Sequence, residues 1–147
     1  MNEFNLIISQ KIPFSINENQ TIINGYEITN YHEYLEDNVL KFSVMGKAAN
    51  SFGDDDVRIS ERLYVPSKRL RGFESGKVGP KDGNDFIGGN YYALMNINST
   101  LPQILPNAQN IDFISFIDMA NVWGVDSDAL DNGSELRSSI GIGIDWW

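Results

Sequence analysis

Glu135-Leu136-Arg137-Ser138-Ser139-Ile140-Gly141-Ile142-Gly143-Ile144-Asp145-Trp146-Trp147 is the stretch that decides the fold class. Leu136, Ile140, Ile142, Ile144 and Trp146 fall on one face. Glu135, Arg137, Ser139, Gly141, Gly143 and Asp145 fall on the other. A period of two with one apolar and one polar side predicts a β-strand.

The same alternation recurs upstream. Segment 4–14 sets Phe4, Leu6, Ile8, Ile12 and Phe14 against Asn5, Ser9 and Lys11. Segment 39–52 sets Leu40, Phe42, Val44 and Ala48 against Lys41, Ser43 and Lys47. Segment 90–101 sets Tyr91, Ala93, Met95, Ile97 and Leu101 against Asn90, Asn96, Asn98 and Thr100. Segment 111–124 sets Ile111, Phe113, Ile117, Met119 and Trp123 against Asp112, Asp118 and Ala120. Segment 21–34 is the least regular, with Tyr26 and Ile28 opposite Gly25, Glu27 and Thr29. The pattern predicts an all-β antiparallel up-and-down meander of about six long strands, with no helix. Strands in globular domains average about 5–6 residues, whereas a tilted strand crossing a bilayer needs roughly 9–11. Length and alternation together predict part of a transmembrane β-barrel. Tyr34, Tyr91, Trp123, Trp146 and Trp147 suit interfacial aromatic girdles, although aromatics also favour strands in general. The links at 15–20, 53–89 and 125–134 are polar and acidic, and 35–38 and 102–109 are shorter or carry Pro102 and Pro106. Barrels pair long outside loops with short periplasmic turns, so the first three are expected outside and the other two in the periplasm. Closure needs about eight strands, and open edges in hydrocarbon cost several kcal/mol per unpaired group. A piece of a larger protein is therefore expected.

Composition narrows the function. The 147 residues carry a net charge of −9, contain no Cys and contain one His, His32. A thiolate or two-His metal site is excluded, no Lys/Arg cluster tracks phosphates, and nucleic-acid binding is not expected. No apolar run approaches a membrane helix, and the mean hydropathy of −0.28 does not exclude a barrel, whose strands face a polar lumen at every second residue. No secretory signal is visible at Met1-Asn2-Glu3-Phe4. Lys81 to Asn90 superficially matches one calcium nonapeptide, but such sites need stacked copies. Asp54-Asp55-Asp56 lacks the spacing of an EF-hand loop. His32 reads as a polar strand-end residue. Asn98-Ser99-Thr100 matches a glycosylation acceptor but lies within a strand. No nucleophile elbow, phosphate loop or His/carboxylate pair is present. No enzyme, cofactor or metal is expected.

The long link 53–89 carries Arg71-Gly72-Phe73, then Gly76, Gly79-Pro80, Asp82-Gly83 and Gly88-Gly89-Asn90. Downstream, Phe116-Ile117-Asp118 places a single carboxylate in an apolar run. Two readings stand. In one, Arg71 is a solvated loop arginine that never meets Asp118. In the other, the loop folds back and the two form a charge-assisted pair inside the barrel. Small residues on the inward face, Ala120, Gly141 and Gly143, would leave room for that loop.

The order of these motifs resembles the BamA family, which inserts β-barrels into the bacterial outer membrane. Arg62-Leu63-Tyr64, Leu70-Arg71-Gly72-Phe73-Glu74-Ser75-Gly76, Val78-Gly79-Pro80 and Gly88-Gly89-Asn90 look like that family's sixth extracellular loop. Phe116 to Trp123 and Leu136 to Trp146 resemble its following strands. The resemblance is strong over 58–147 and rests on strand pattern over 1–57. It implies a 16-stranded barrel preceded by periplasmic POTRA domains. Residues 1–147 would then be a partial barrel domain, about the ninth to fourteenth strands. The POTRA domains, the earlier strands and the last two strands are expected to be absent. It further implies that Arg71, Gly72 and Phe73 form a loop tip held in the lumen by Asp118, with Phe116 beside it. Ala120 stands where the family usually has Gly.

The function implied is folding and insertion of client outer-membrane proteins without catalysis, in a Gram-negative outer membrane. Implied partners are unfolded clients, assembly lipoproteins reached through the POTRA domains, and outer-membrane lipid. A TamA-type or two-partner-secretion pore is the alternative within the superfamily, and a soluble all-β ligand-binding domain is the alternative outside it.

Overall fold

The computed structural model describes residues 2–13, 21–36, 38–52, 56–101, 111–125, 133 and 135–146. Six strands build one antiparallel sheet: β1 (Asn2–Lys11), β2 (Thr21–Leu35), β3 (Asn38–Ser51), β6 (Tyr91–Thr100), β7 (Ile111–Trp123) and β8 (Arg137–Trp146). Their order across the sheet is β1-β2-β3-β6-β7-β8, a meander interrupted only by the long loop between β3 and β6. Every predicted alternating segment forms its strand, and the least regular one forms the longest, 15 residues in β2. The predicted short link 35–38 is tighter still, because β2 runs to Leu35 and β3 starts at Asn38.

Register shows what the alternation accomplishes. Asn5, Thr29, Ser43, Asn96, Asp118 and Ser139 pair in succession, making a polar row across all six strands. One residue along each strand, Phe4, Asn30, Phe42, Ile97, Ile117 and Ile140 make a row on the opposite face, apolar except at Asn30. On that outer face Ile8, Ile140 and Ile142 are 78–82% exposed. A contiguous apolar face of this kind is costly in water and natural against lipid. Outer-face aromatics sit toward both ends of the sheet. Tyr91 stacks on Trp123 at the loop end with centroids 6.0 Å apart. At the other end the Tyr34 hydroxyl donates to the Thr100 carbonyl at 2.6 Å. The Trp146 side chain and Trp147 lie outside the described residues.

The core lies on the other, inner face. Val57, Leu63, Val65, Leu70 and Val78 of the loop pack with Ala49, Tyr92, Leu94, Ala120 and Val122 of the sheet. The loop is thus a second layer, burying apolar atoms that water would otherwise wet. Its exit is fixed by backbone bonding. Leu63 and Gly89 exchange N–H···O bonds of 2.8 and 3.0 Å, and the Asn90 N–H donates to the Gly124 carbonyl at 2.8 Å. Gly89 is required there: a Cβ would come within 2.5 Å of the Trp123 carbonyl oxygen.

The loop is more ordered than its composition predicts. It contains 3-10 turns at Ile59–Glu61 and Ser67–Arg69, and a two-stranded ribbon of β4 (Lys81–Asp82) and β5 (Asp85–Phe86). The stretch that resembled a calcium nonapeptide is therefore a hairpin, turning at Gly83 with φ 60°. His32 lies on β2, its ring Nδ1 2.5 Å from the Asn2 side-chain oxygen. Asn98-Ser99-Thr100 ends β6. The links 15–20 and 102–109, most of 125–134, and Asp54-Asp55 lie outside the described residues.

Candidate functional site

The structure brings Arg71 and Asp118 together. The Arg71 Nε donates to Asp118 Oδ2 at 2.7 Å, and Nη2 donates to Oδ1 at 2.7 Å. This is a bidentate fork, the geometry in which guanidinium and carboxylate match best. The Arg71 backbone N–H adds a third bond to Oδ2 at 3.0 Å. Asp118 has no exposed surface, and the Arg71 side chain is 30% exposed. A carboxylate so buried is tolerable only because several donors converge on it.

Phe116 forms the floor. Its ring centre lies 3.6 Å from the Arg71 guanidinium carbon, a cation–π contact. Gly141 pairs with Phe116 across β7 and β8. A Cβ at Gly141 would reach within 2.6 Å of the Phe116 ring. This corrects one expectation: Gly141 makes room for the ring under the arginine rather than for the loop itself, and Gly143 similarly faces Ile114. Gly141→Val is expected to destabilise the folded protein by about 1–3 kcal/mol through overpacking. The urea midpoint measures this, and adding Phe116→Leu should recover part of the loss.

The remaining predicted residues take varied places. Gly72 has φ 84° and lies over Ser139, whose Cβ would be 3.9 Å from a side chain's first carbon. Phe73 is partly buried against the core, while Leu70, one residue before Arg71, is 2% exposed and is the tip's main apolar anchor. Gly76, Gly79 and Gly88 all have positive φ. Gly79 also presses its backbone on Val122, where a Cβ would lie 2.7 Å from the valine Cβ. Pro80 is fully buried, and Asn90 joins β3 through its carbonyl, which accepts from the Ala49 N–H at 2.7 Å.

Four residues of the site were not singled out from sequence. Asn98 accepts from Arg71 Nη2 at 2.6 Å. Asn96 donates to Asp118 Oδ1 at 2.8 Å and to the Arg69 carbonyl at 2.6 Å. Arg69 pairs with Glu27 at 2.7 Å. The available signal was the alternation itself, which puts Asn96 and Asn98 on the same face as Asp118 and Glu27 on the same face as Ser43.

A family model described as the Omp85 superfamily domain matches residues 4–147. The chain belongs to the Omp85 superfamily. This Omp85 chain is 29% identical over 110 residues to outer membrane protein assembly factor BamA of Neorickettsia risticii (strain Illinois), covering 71% of the chain and 15% of the relative. It is 29% identical over 124 residues to the protein of the same description from Nitratidesulfovibrio vulgaris, covering 82% of the chain and 15% of that relative. The chain thus spans about 15% of the length of these curated relatives. Its fold matches the crystal structure of BamA from Haemophilus ducreyi lacking POTRA domains 1–3, with a TM-score of 0.79 and 24% identity. That match covers 98% of this chain and 32% of the solved one. The Omp85 sheet is therefore BamA-like barrel wall, and its place is the outer membrane of Gram-negative bacteria. The long loop covers one face of this sheet and leaves the apolar face bare.

Proposed function

We propose that this segment belongs to a BamA-type assembly factor that folds and inserts client outer-membrane proteins, and that its share of the work is to hold the long loop inside the lumen. The observation that carries the reading is the forked Arg71–Asp118 pair, buried on the lumen face of a BamA-like sheet. On this reading β1, β2, β3, β6, β7 and β8 are about the ninth to fourteenth strands of a 16-stranded barrel. The loop 53–89 lies on the extracellular side, and periplasmic POTRA domains elsewhere in the protein recruit partner lipoproteins. Arg71, Gly72 and Phe73 with Asp118 and Phe116 act as a structural latch. The work needs no bond-making chemistry: paired and unpaired strand edges template a client strand, and a fixed loop keeps the barrel wall in the shape that allows it. The assembly-factor descriptions of both curated relatives favour this over a translocation pore.

The test uses the full-length protein that carries this segment, in cells depleted of their own copy. Arg71→Ala should lower the levels of folded outer-membrane proteins and weaken the heat-modifiable gel mobility of the barrel. Normal client levels with unchanged mobility would sink the reading.

A further inference from the structure

Hydrogen bonds run outward from Asp118 to a second ion pair, whose carboxylate lies three strands away with two strands between. Asn96 spends both hydrogens of its amide, one on Asp118 Oδ1 and one on the Arg69 carbonyl. Arg69 reaches in the opposite direction from Arg71, to Glu27 on β2 at 2.7 Å. The Ser43 hydroxyl donates to the same Glu27 oxygen at 3.4 Å, and Thr29 lies 3.1 Å from Ser43. The Arg69 and Glu27 side chains are 31% and 19% exposed, so the pair is partly sheltered. In the sheet order, β3 and β6 separate β2 from β7.

We infer that Glu27 and Arg69 are a second anchor for the loop, and that Asn96 couples it to the Arg71–Asp118 anchor, so that the loop tip acts as a brace across the lumen from β2 to β7. Leu70 sits between the two arginines and is buried in the core. With its flanking residues pulled to opposite sides and its own side chain fixed, the tip cannot shift toward one strand without lengthening the bond to the other. A single anchor would hold the loop yet leave the wall free to flatten. Two anchors on strands separated by two others resist that motion, because changing the curvature of a sheet changes the spacing of its non-adjacent strands. Glu27, Arg69 and Asn96 are positioning residues for the assembly reaction. This inference rests on the latch reading above.

The segment contains no Cys, so once any cysteines elsewhere in the full-length protein are changed to Ser, one introduced thiol reports on the loop. Ala120 is 1% exposed beneath the loop and packs in its core. Ala120→Cys in the full-length protein should react slowly with a water-soluble maleimide while the loop is seated. Glu27→Gln, Glu27→Arg and Arg69→Glu should each raise that labelling rate by about tenfold, the factor that 1.4 kcal/mol represents. The charge swap Glu27→Arg with Arg69→Glu should return the rate toward the parent's, an effect general destabilisation cannot produce. Parent-like rates in Glu27→Gln, or a swap no better than its singles, would overturn the second anchor. Asp118→Asn separates the two ideas. If it raises labelling while Glu27→Gln does not, the brace fails and the latch stands. If neither does, the latch fails as well.

Discussion

Arg71→Met is expected to lower the stability of the folded barrel by about 3–5 kcal/mol, the range for stranding one member of a buried ion pair. Asp118 has no exposed surface and loses both bonds of the guanidinium fork, while the bond from the residue-71 backbone N–H lasts only as long as the tip stays seated. Methionine keeps the bulk of the stem, so the loss reports charge and hydrogen bonding rather than a cavity. Removing both partners, Arg71→Met with Asp118→Leu, should cost much less than the sum of the two single changes, because no uncompensated charge is left buried beneath the loop. Urea titration of the full-length protein in lipid vesicles gives these values as a double-mutant cycle. The function should not recover with the stability. If the pair exists to seat the loop, the stable double variant still lacks the latch, and client levels stay low. A double variant that restores both would reduce the pair to a stabilising contact.

The fold was largely legible in the sequence because alternation is a local signal. The alternation marks one predominantly apolar side on each strand, and the register brings those sides to one face of the sheet. The pairing of Arg71 with Asp118 was one of two open readings, since spacing along the chain says nothing about whether a loop turns inward. What escaped notice was non-local. Glu27 lies in the least regular segment, where Ile23 and Tyr31 share its face and blur the pattern, and its partner Arg69 is 42 residues away. Leu70 gave no signal because burial of a loop residue depends on the surface it lands on. Gly141 was read as space for the loop, whereas the ring of Phe116 fills that space. Gly46 is similar: the Tyr26 ring from the neighbouring strand lies over it, so a Cβ there would come within 2.6 Å of the ring. Glycine on a strand announces that something approaches closely without saying what.

The assignment of faces makes the second large prediction, and two isoleucines test it. Ile140 on β8 is 80% exposed and Ile7 on β1 is 57% exposed. By residue type and exposure they look alike. Register separates them. Ile140 pairs with Ile117 in the apolar outer row, near the middle of its strands. Ile7 pairs with Glu27, which lies on the loop-covered face and meets Arg69 from the loop. Ile140→Lys should therefore destabilise the inserted barrel by about 2–4 kcal/mol, the cost of a cation on the lipid face near the bilayer midplane. Ile7→Lys faces water and a carboxylate, and should change stability by roughly half a kcal/mol or less, as solvated surface substitutions do. The contrast should collapse when both variants are compared in detergent, where a mobile micelle admits water to the outer face more readily than a bilayer does. Equal losses at the two positions in vesicles would mean that the loop-covered face is not the lumen, and with it the seating of Arg71 on Asp118 would need another explanation.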